Sequence, residues 1–358
     1  MSIVFISDFG YFKDGKPNNN FKKNKLEECS LTELVNNIKL KFNEEKDILL
    51  CGGDNFYQNG IIFNNKNEYE KKYNHYFKSL IGKKNKIYGL LGNHDYRGNI
   101  KYQINNDKLF NIPNMYYCIN YENIDIYMID TILLDAKNST ELNQVYNQYF
   151  KPLTKEEINS ETKSENLDLL LIKEKYDKSN PKWLENLLFG NPNNIQTENL
   201  FKENDLKYDK ICKLRLDMLT WLDRELTKSN LNNKKIIVCG HYNILTFGMY
   251  KSLNYYSLSA LFLLPLFVKH NVKLYISGHD HGTQLHEINN QYIYDLINDF
   301  KGPVREIKIL NTIIPNNLEI IKNSIDYKLY NVVSGACIDN YEKNKYEPEH
   351  TEYEKSIN

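Results

Sequence analysis

Carboxylate, amide, phenol and imidazole side chains recur in this chain just after short apolar runs. Asp8 follows the first run, in Ser7-Asp8-Phe9-Gly10. Asp54 and Tyr57 follow the second, in Gly52-Gly53-Asp54-Asn55-Phe56-Tyr57. Asn93, His94 and Asp95 follow the third, in Gly92-Asn93-His94-Asp95. His241 follows the fourth, in Cys239-Gly240-His241-Tyr242, and His279 and His281 follow the fifth, in Ser277-Gly278-His279-Asp280-His281. Oxygen and imidazole donors in this mixture suit hard and borderline cations. Two neighbouring cations need an anionic ligand shared between them, which a carboxylate can be, and each keeps positions open for water and substrate. His279 and His281 alternate along an extended segment, so they reach different cations only where the backbone turns, which Gly278 and Gly282 permit. Taken singly, each motif reads more simply as a turn or a cap. The ordered set is what points to a metal centre.

The elements that must carry these residues alternate. Strands are expected over Ser2–Ser7, Asp47–Cys51 and Lys86–Leu91, with helices over Leu26–Phe42 and Glu68–Leu80. Tyr116–Asp130 reads as two strands joined at Glu122-Asn123. Leu214, Met218, Leu219, Leu222 and Leu226 mark an amphipathic helix leading into a strand over Lys235–Cys239. Ser257–His270 reads as an apolar helix kinked or broken near Pro265, followed by a strand over Val272–Ser277 and several β-like segments up to Ser334. This alternation predicts an α/β architecture with a second sheet packed on the first. In such folds ligands gather at the carboxyl ends of strands, where the residues above lie. Residues 137–211 read as a polar, irregular insertion, apart from an apolar piece around Trp183–Phe189. Residues 1–337 then form one domain, and 338–358 a polar tail.

Lys plus Arg equals Asp plus Glu at 46 each, so no bulk charge draws the chain to nucleic acid or anionic lipid. The 28 tyrosines, with abundant Lys, Asn and Ile, read as an AT-rich genome rather than a functional signal. Cys29, Cys51, Cys118, Cys212, Cys239 and Cys337 lack metal-site spacing, and Cys51 and Cys239, ending apolar runs, read as buried free thiols. The apolar run from Leu258 to Val268 is too short to span a bilayer, and the first residues lack the features of a signal peptide. A soluble, cytoplasmic protein without a membrane partner is the expectation.

In order and spelling the motifs resemble the purple acid phosphatases, a branch of the calcineurin-like metallophosphoesterases, and among them the small tartrate-resistant mammalian type. That family reads Asp-x-Gly, Gly-Asp-x-x-Tyr, Gly-Asn-His-Asp/Glu, Gly-His-Tyr and Gly-His-x-His, all of which stand here in that order. Asp130-Thr131 and the segment Val333–Ala336 are similar too. The resemblance covers residues 1 to about 136 and about 213 to 337. It implies two packed mixed β-sheets flanked by helices, a four-layer α/β/β/α sandwich. It implies one cation on Asp8, Asp54, Tyr57 and His281, and a second on Asp54, Asn93, His241 and His279, with Asp54 bridging. Many other metallophosphoesterases have a metal-binding His where Gly10 stands, a vacancy that Tyr57 would fill. A phenolate favours Fe(III) in the first site, and imidazole with an amide suits Fe(II), Zn(II) or Mn(II) in the second.

The implied reaction is hydrolysis of phosphomonoesters by metal-bound hydroxide. Asn93, His94 and His241 would meet the phosphate, and His94 would protonate or stabilise the leaving oxygen. Phosphorylated small molecules or phosphoproteins are the implied substrates, and the insertion, placed where the mammalian enzymes carry an exposed loop, is expected to border the cleft. Two departures stand out. Ser7 replaces the usual Gly of the first motif, and Tyr250 stands where the mammalian enzymes have a second active-site histidine. A scaffold protein with an eroded centre and a phosphodiesterase are the competing readings. The intact ligand set argues against the first, and the missing Asp-x-His motif against the second.

Overall fold

A computed structural model describes residues 2–9, 34–43, 46–57, 59–62, 66–77, 80, 87–106, 108–136, 139–150, 195–245, 258–280, 283–299, 304–324 and 326–334. The apolar runs pair into two sheets. β1 (Ile3–Ile6), β2 (Ile48–Cys51) and β3 (Ile87–Gly89) form a parallel sheet in that order. The second sheet has six strands, in the order β4-β5-β6-β7-β9-β8. β4 (Tyr117–Tyr121) and β5 (Ile124–Met128) are an antiparallel hairpin. β5, β6 (Lys235–Cys239), β7 (Leu274–Ser277) and β9 (Lys328–Val333) run parallel. β8 (Gln284–Asn289) closes the edge antiparallel to β9.

Sequence pattern and position agree. β2 reads Ile-Leu-Leu-Cys and is buried at every residue, as the middle of a parallel sheet demands. From Leu285 onward β8 alternates exposed and buried, as an edge strand with one face on the core does. Leu49 and Leu50 of the first sheet and Ile126, Met128 and Val238 of the second belong to one continuous hydrophobic core. The Tyr117 hydroxyl donates to the Gly89 carbonyl at 2.6 Å and ties the two sheets at their edges.

Helices flank the sheets: α1 (34–41), α2 (Lys66–Phe77), α3 (Thr131–Asp135), α4 (Ser139–Tyr149), α5 (Ile195–Leu231), α6 (Leu258–His270), α7 (Asn290–Asn298), α8 (Val304–Ile313) and α9 (Asn317–Asn323). Three sequence expectations are corrected. Both described ends of the 137–211 segment are helical rather than irregular. In α4 the residues Leu142, Val145, Tyr146 and Tyr149 make an apolar stripe at helical spacing, and Val145 and Tyr146 are fully buried. α5 starts long before Leu214; its polar composition suits a helix that buries one face, through Ile211, Met218, Leu219, Leu222 and Leu226. Residues 151–194, with the Trp183–Phe189 piece, lie outside the described residues, as do the tail and the start of the Leu26–Phe42 helix.

The region after β8 holds three helices, α7 to α9, before β9, where strands are expected. Ile293 with Ile297, and Ile309 with Leu310 and Ile313, bury at helical spacing. α6 runs unbroken through Pro265. The ring costs one backbone hydrogen bond, roughly 3 kcal/mol in an exposed helix. Every residue from Leu258 to Val268 is buried, and that packing offsets the loss. Among the described residues no helix is long and apolar enough to cross a membrane. Cys51 and Cys239 are buried free thiols, as read from the sequence.

α5 is fastened by a wholly buried ion pair. Arg215 meets Glu306 of α8 at 3.1 Å, both side chains fully inaccessible, and also donates to the carbonyls of Leu133 (3.0 Å) and Ala136. Arg215→Met removes the guanidinium that meets the buried Glu306 carboxylate and is expected to cost ~3–5 kcal/mol in chemical denaturation. The Arg215→Met/Glu306→Leu pair should recover most of that loss. A double variant as unstable as the single one would show that the backbone bonds, not the charge pair, carry the effect.

Candidate metal centre

Parallel strands deliver their carboxyl ends to one edge, and five loops leave from such ends here. Asp8 follows β1, Asp54 and Tyr57 follow β2, Asn93 and His94 follow β3, His241 follows β6 and His279 follows β7. Two hydrogen bonds join the edges of the sheets at this point. The Asp8 carboxylate accepts from the His279 backbone at 2.8 Å, and the Gly52 carbonyl meets the His241 ring at 2.9 Å.

Among the described residues Asp8, Asp54 and His241, all buried, bring ligand atoms within 4.8 Å of one another. Tyr57 donates its hydroxyl to Asp8 Oδ1 at 3.1 Å. Asn93 Oδ1 lies 3.0 Å from His241 Nε2, and Asp54 Oδ1 lies 3.5 Å from the same atom. The His94 backbone donates to Asp54 Oδ1 at 2.9 Å, its Nε2 lies 3.9 Å from Asp54 Oδ2, and its ring packs on Tyr57 at 4.3 Å between centroids. The His279 ring sits against those of His241 and Tyr242, at 5.1 and 4.5 Å between centroids, and so borders the group without joining the 4.8 Å set. His281, the remaining expected ligand, lies outside the described residues, as do Gly10 and Tyr250.

The backbone is strained where the candidate ligands stand. Asp8, Asp54 and His279 have φ of 58°, 52° and 69°, in the left-handed region that costs non-glycine residues of order 1–3 kcal/mol each. Neighbouring glycines make room. A Cβ on Gly92 would lie 2.2 Å from Asp54 Oδ1, and Gly53 sits at φ 94° with a Cβ position 2.7 Å from the His241 ring. Larger residues there would push the carboxylate and the imidazole out of the group.

The donor set fits a cation. A carbonyl only accepts, so His241 Nδ1, facing Gly52, carries the proton of the neutral ring, and Nε2 offers a lone pair toward the oxygens of Asp54 and Asn93. Several acceptors thus converge, which bare protein makes costly and a cation makes favourable. Burial raises the Tyr57 pKa, and the Asp8 and Asp54 charges raise it further, so the phenol ionises only against a strong positive charge.

The sequence of residues 1–283 matches the calcineurin-like phosphoesterase family. The chain belongs to that family. The tartrate-resistant acid phosphatase type 5 of Homo sapiens is 27% identical over 153 residues, 40% of this chain and 45% of the relative. Purple acid phosphatase 7 of Arabidopsis thaliana is 28% identical over 240 residues, 66% of this chain and 55% of the relative. The chain therefore spans about half the length of these curated relatives. A solved structure, the inner-membrane-complex anchor GAP50 of Plasmodium, is 16% identical over 94% of this chain and 71% of its own, with a TM-score of 0.41, too low to bear on function.

Around the candidate centre lie residues to which the motifs assign no ligand role. Asp95 accepts four N–H bonds, from Asn55, Phe56, Gly92 and the Gln103 side chain, and so buckles the Asp54 loop to the Asn93 loop. Burial and the Asp54 charge push its carboxyl up, and those donors oppose them. The Thr131 hydroxyl accepts from the backbones of His241 (3.0 Å) and Tyr242 (2.9 Å) and sets the His241 turn. Its place in Asp130-Thr131 was a visible signal. Arg97 Nη1 lies 3.0 Å from His94 Nδ1. A guanidinium only donates, so Nδ1 accepts and the His94 proton sits on Nε2, the nitrogen facing Asp54. No sequence signal marked Arg97.

Proposed function

We propose that the chain hydrolyses phosphomonoesters at a two-cation centre, as an acid phosphatase of the purple type. The observation that carries this reading is the convergence of Asp8, Asp54 and His241 from three separate strand ends, with Tyr57 bonded to Asp8 and Asn93 Oδ1 3.0 Å from His241 Nε2. Asp8, Asp54 and Tyr57, together with His281, would hold one cation. Asn93, His241 and His279 would hold the other, with Asp54 shared. Fe(III) suits the first because a phenol between two carboxylates ionises only against high charge, and Fe(II), Zn(II) or Mn(II) suits the second. When bound, the cations supply an activated water and neutralise phosphate charge.

The chain's own residues would do the orienting. Asn93, His94 and His241 would face the phosphate, and His94 would stabilise the departing oxygen by a hydrogen bond from its Nε2–H. Arg97 keeps the ring in that tautomer. Phosphorylated small molecules or phosphoproteins are the substrates this centre would take.

A panel of aryl monoesters, alkyl monoesters and diesters, run on metal-loaded protein, tests the activity. Turnover of monoesters over diesters is expected. Metal-loaded protein that turns over none of them would sink the enzyme reading and favour a binding or scaffold role. Tyr57→Phe tests the first site separately. Iron-loaded wild type should show a visible phenolate charge-transfer band, and the substitution should remove it with the far-UV circular dichroism unchanged. Iron-loaded wild type without such a band would show that Tyr57 is not a ligand.

A further inference from the structure

We propose that Gln148 is a positioning residue for His94, and that α4 thereby holds the histidine's loop in its working place. This rests on the reading of the centre given above. After His94 the chain makes two short 3-10 turns, Asp95–Arg97 and Ile100–Tyr102, with Gly98 and Asn99 between them. Gln148, in the last turn of α4, grips this stretch by its backbone. Its Nε2 donates to the carbonyls of Tyr96 at 3.1 Å and Gly98 at 2.7 Å, and its Oε1 accepts from the Ile100 N–H at 3.3 Å. Three of the four hydrogen-bonding positions of one primary amide are thus spent on one loop.

The two gripped carbonyls flank Arg97, the residue that meets the His94 ring. The clamp therefore fixes the backbone from which Arg97 reaches the imidazole. Tyr149 adds a second tie. It donates to Asp130 Oδ2 at 2.7 Å, the oxygen that also accepts from the buried Tyr96 hydroxyl. At the other end the His94 backbone is held by Asp54, and Asp95 by its four donors.

The clamp is mounted on rigid structure. Val145 and Tyr146 of α4 are fully buried, Asn143 accepts from Lys207 of α5 at 2.9 Å, and the Lys207 and Lys210 ammonium groups lie 5.6 and 5.9 Å from the centre of the Tyr146 ring. The helix that opens the 137–211 segment is thus a brace for the catalytic histidine.

Gln148→Leu keeps the bulk of the side chain and removes all three bonds; Gln148→Glu keeps an acceptor and removes both donors. Each is measured alone and combined with His94→Ala, in full-length metal-loaded protein. The expected result is a loss in kcat of about 10-fold to 100-fold on alkyl phosphates, smaller on aryl phosphates, with metal content and KM near wild type. Adding either change to His94→Ala should cost nothing more. Amide hydrogen exchange, which needs no activity, should rise across residues 96–102 and stay unchanged across 48–57, in metal-free protein as well. Equal losses on both substrates, or losses that add to that of His94→Ala, would reduce Gln148 to a packing residue and overturn the proposal. Unchanged exchange across 96–102 would overturn it too. A wild type that binds metal yet hydrolyses no ester defeats the functional reading instead, while the exchange arm still decides whether the clamp exists.

Discussion

Replacing His94 with alanine is expected to lower kcat by ~10²–10⁴, the usual scale for one positioned acid. The geometry says why the loss should depend on the leaving group. Arg97 occupies Nδ1, so the exchangeable proton is on Nε2, which faces Asp54 and the cleft. A departing alkoxide depends on that N–H to spread its charge, whereas an aryl oxide, far less basic, needs little help. His94→Ala should therefore hurt alkyl phosphates more than aryl phosphates and leave metal content intact, because the contact made to Asp54 Oδ1 is through the His94 backbone. Equal losses on both substrates would leave His94 only the task of placing the phosphate.

Asp54→Asn should act with opposite signs on metal binding and on the stability of the empty protein. Asp54 is 1% exposed, lies within 4.8 Å of the Asp8 and His241 ligand atoms, and holds φ at 52°, which asparagine tolerates as well as aspartate. The substitution keeps shape and backbone and removes one buried charge. As the shared ligand, Asp54 should be needed by both cations, so metal per chain should fall by about half or more and turnover should approach background. The metal-free variant, relieved of one of two crowded carboxylates, should melt higher than metal-free wild type. A gain of about 1 kcal/mol would appear as ~1–3 °C. Excess metal should then raise the melting temperature of wild type and not of the variant. Full metal content in Asp54→Asn would remove it from the centre, and a lower melting point without metal would mean its role is structural.

Read alone, the sequence names the candidate ligands and the strand ends that carry them. Asp8, Asp54, Asn93, His241 and His279 each follow an apolar run and sit beside glycine or in a short glycine-bearing motif, so run, turn and ligand are local in the chain. The parallel strands then place them by a rule of the fold class. Local spacing also carries the β4–β5 hairpin and the helix through Leu214 and Leu226. Composition misled where type and spacing disagreed. Isoleucine favours strands by shape, yet Ile293 and Ile297 repeat at helical period and fold as α7. Polar residues made 137–211 look irregular, although one buried stripe is enough to dock α4 on the core.

Only the tertiary structure decided what holds those candidate residues in place. Thr131 reaches the His241 turn from 110 residues away, and Gln148 reaches the loop after His94 from across a gap of 52. Arg97 is close in sequence, but its meaning depends on which ring nitrogen it faces. Hydrogen bonds of this kind are set by where sheets and helices pack, and packing is cooperative over the whole core. A motif records the atoms that chemistry requires; the atoms that orient them need only arrive at the right distance, from any part of the chain.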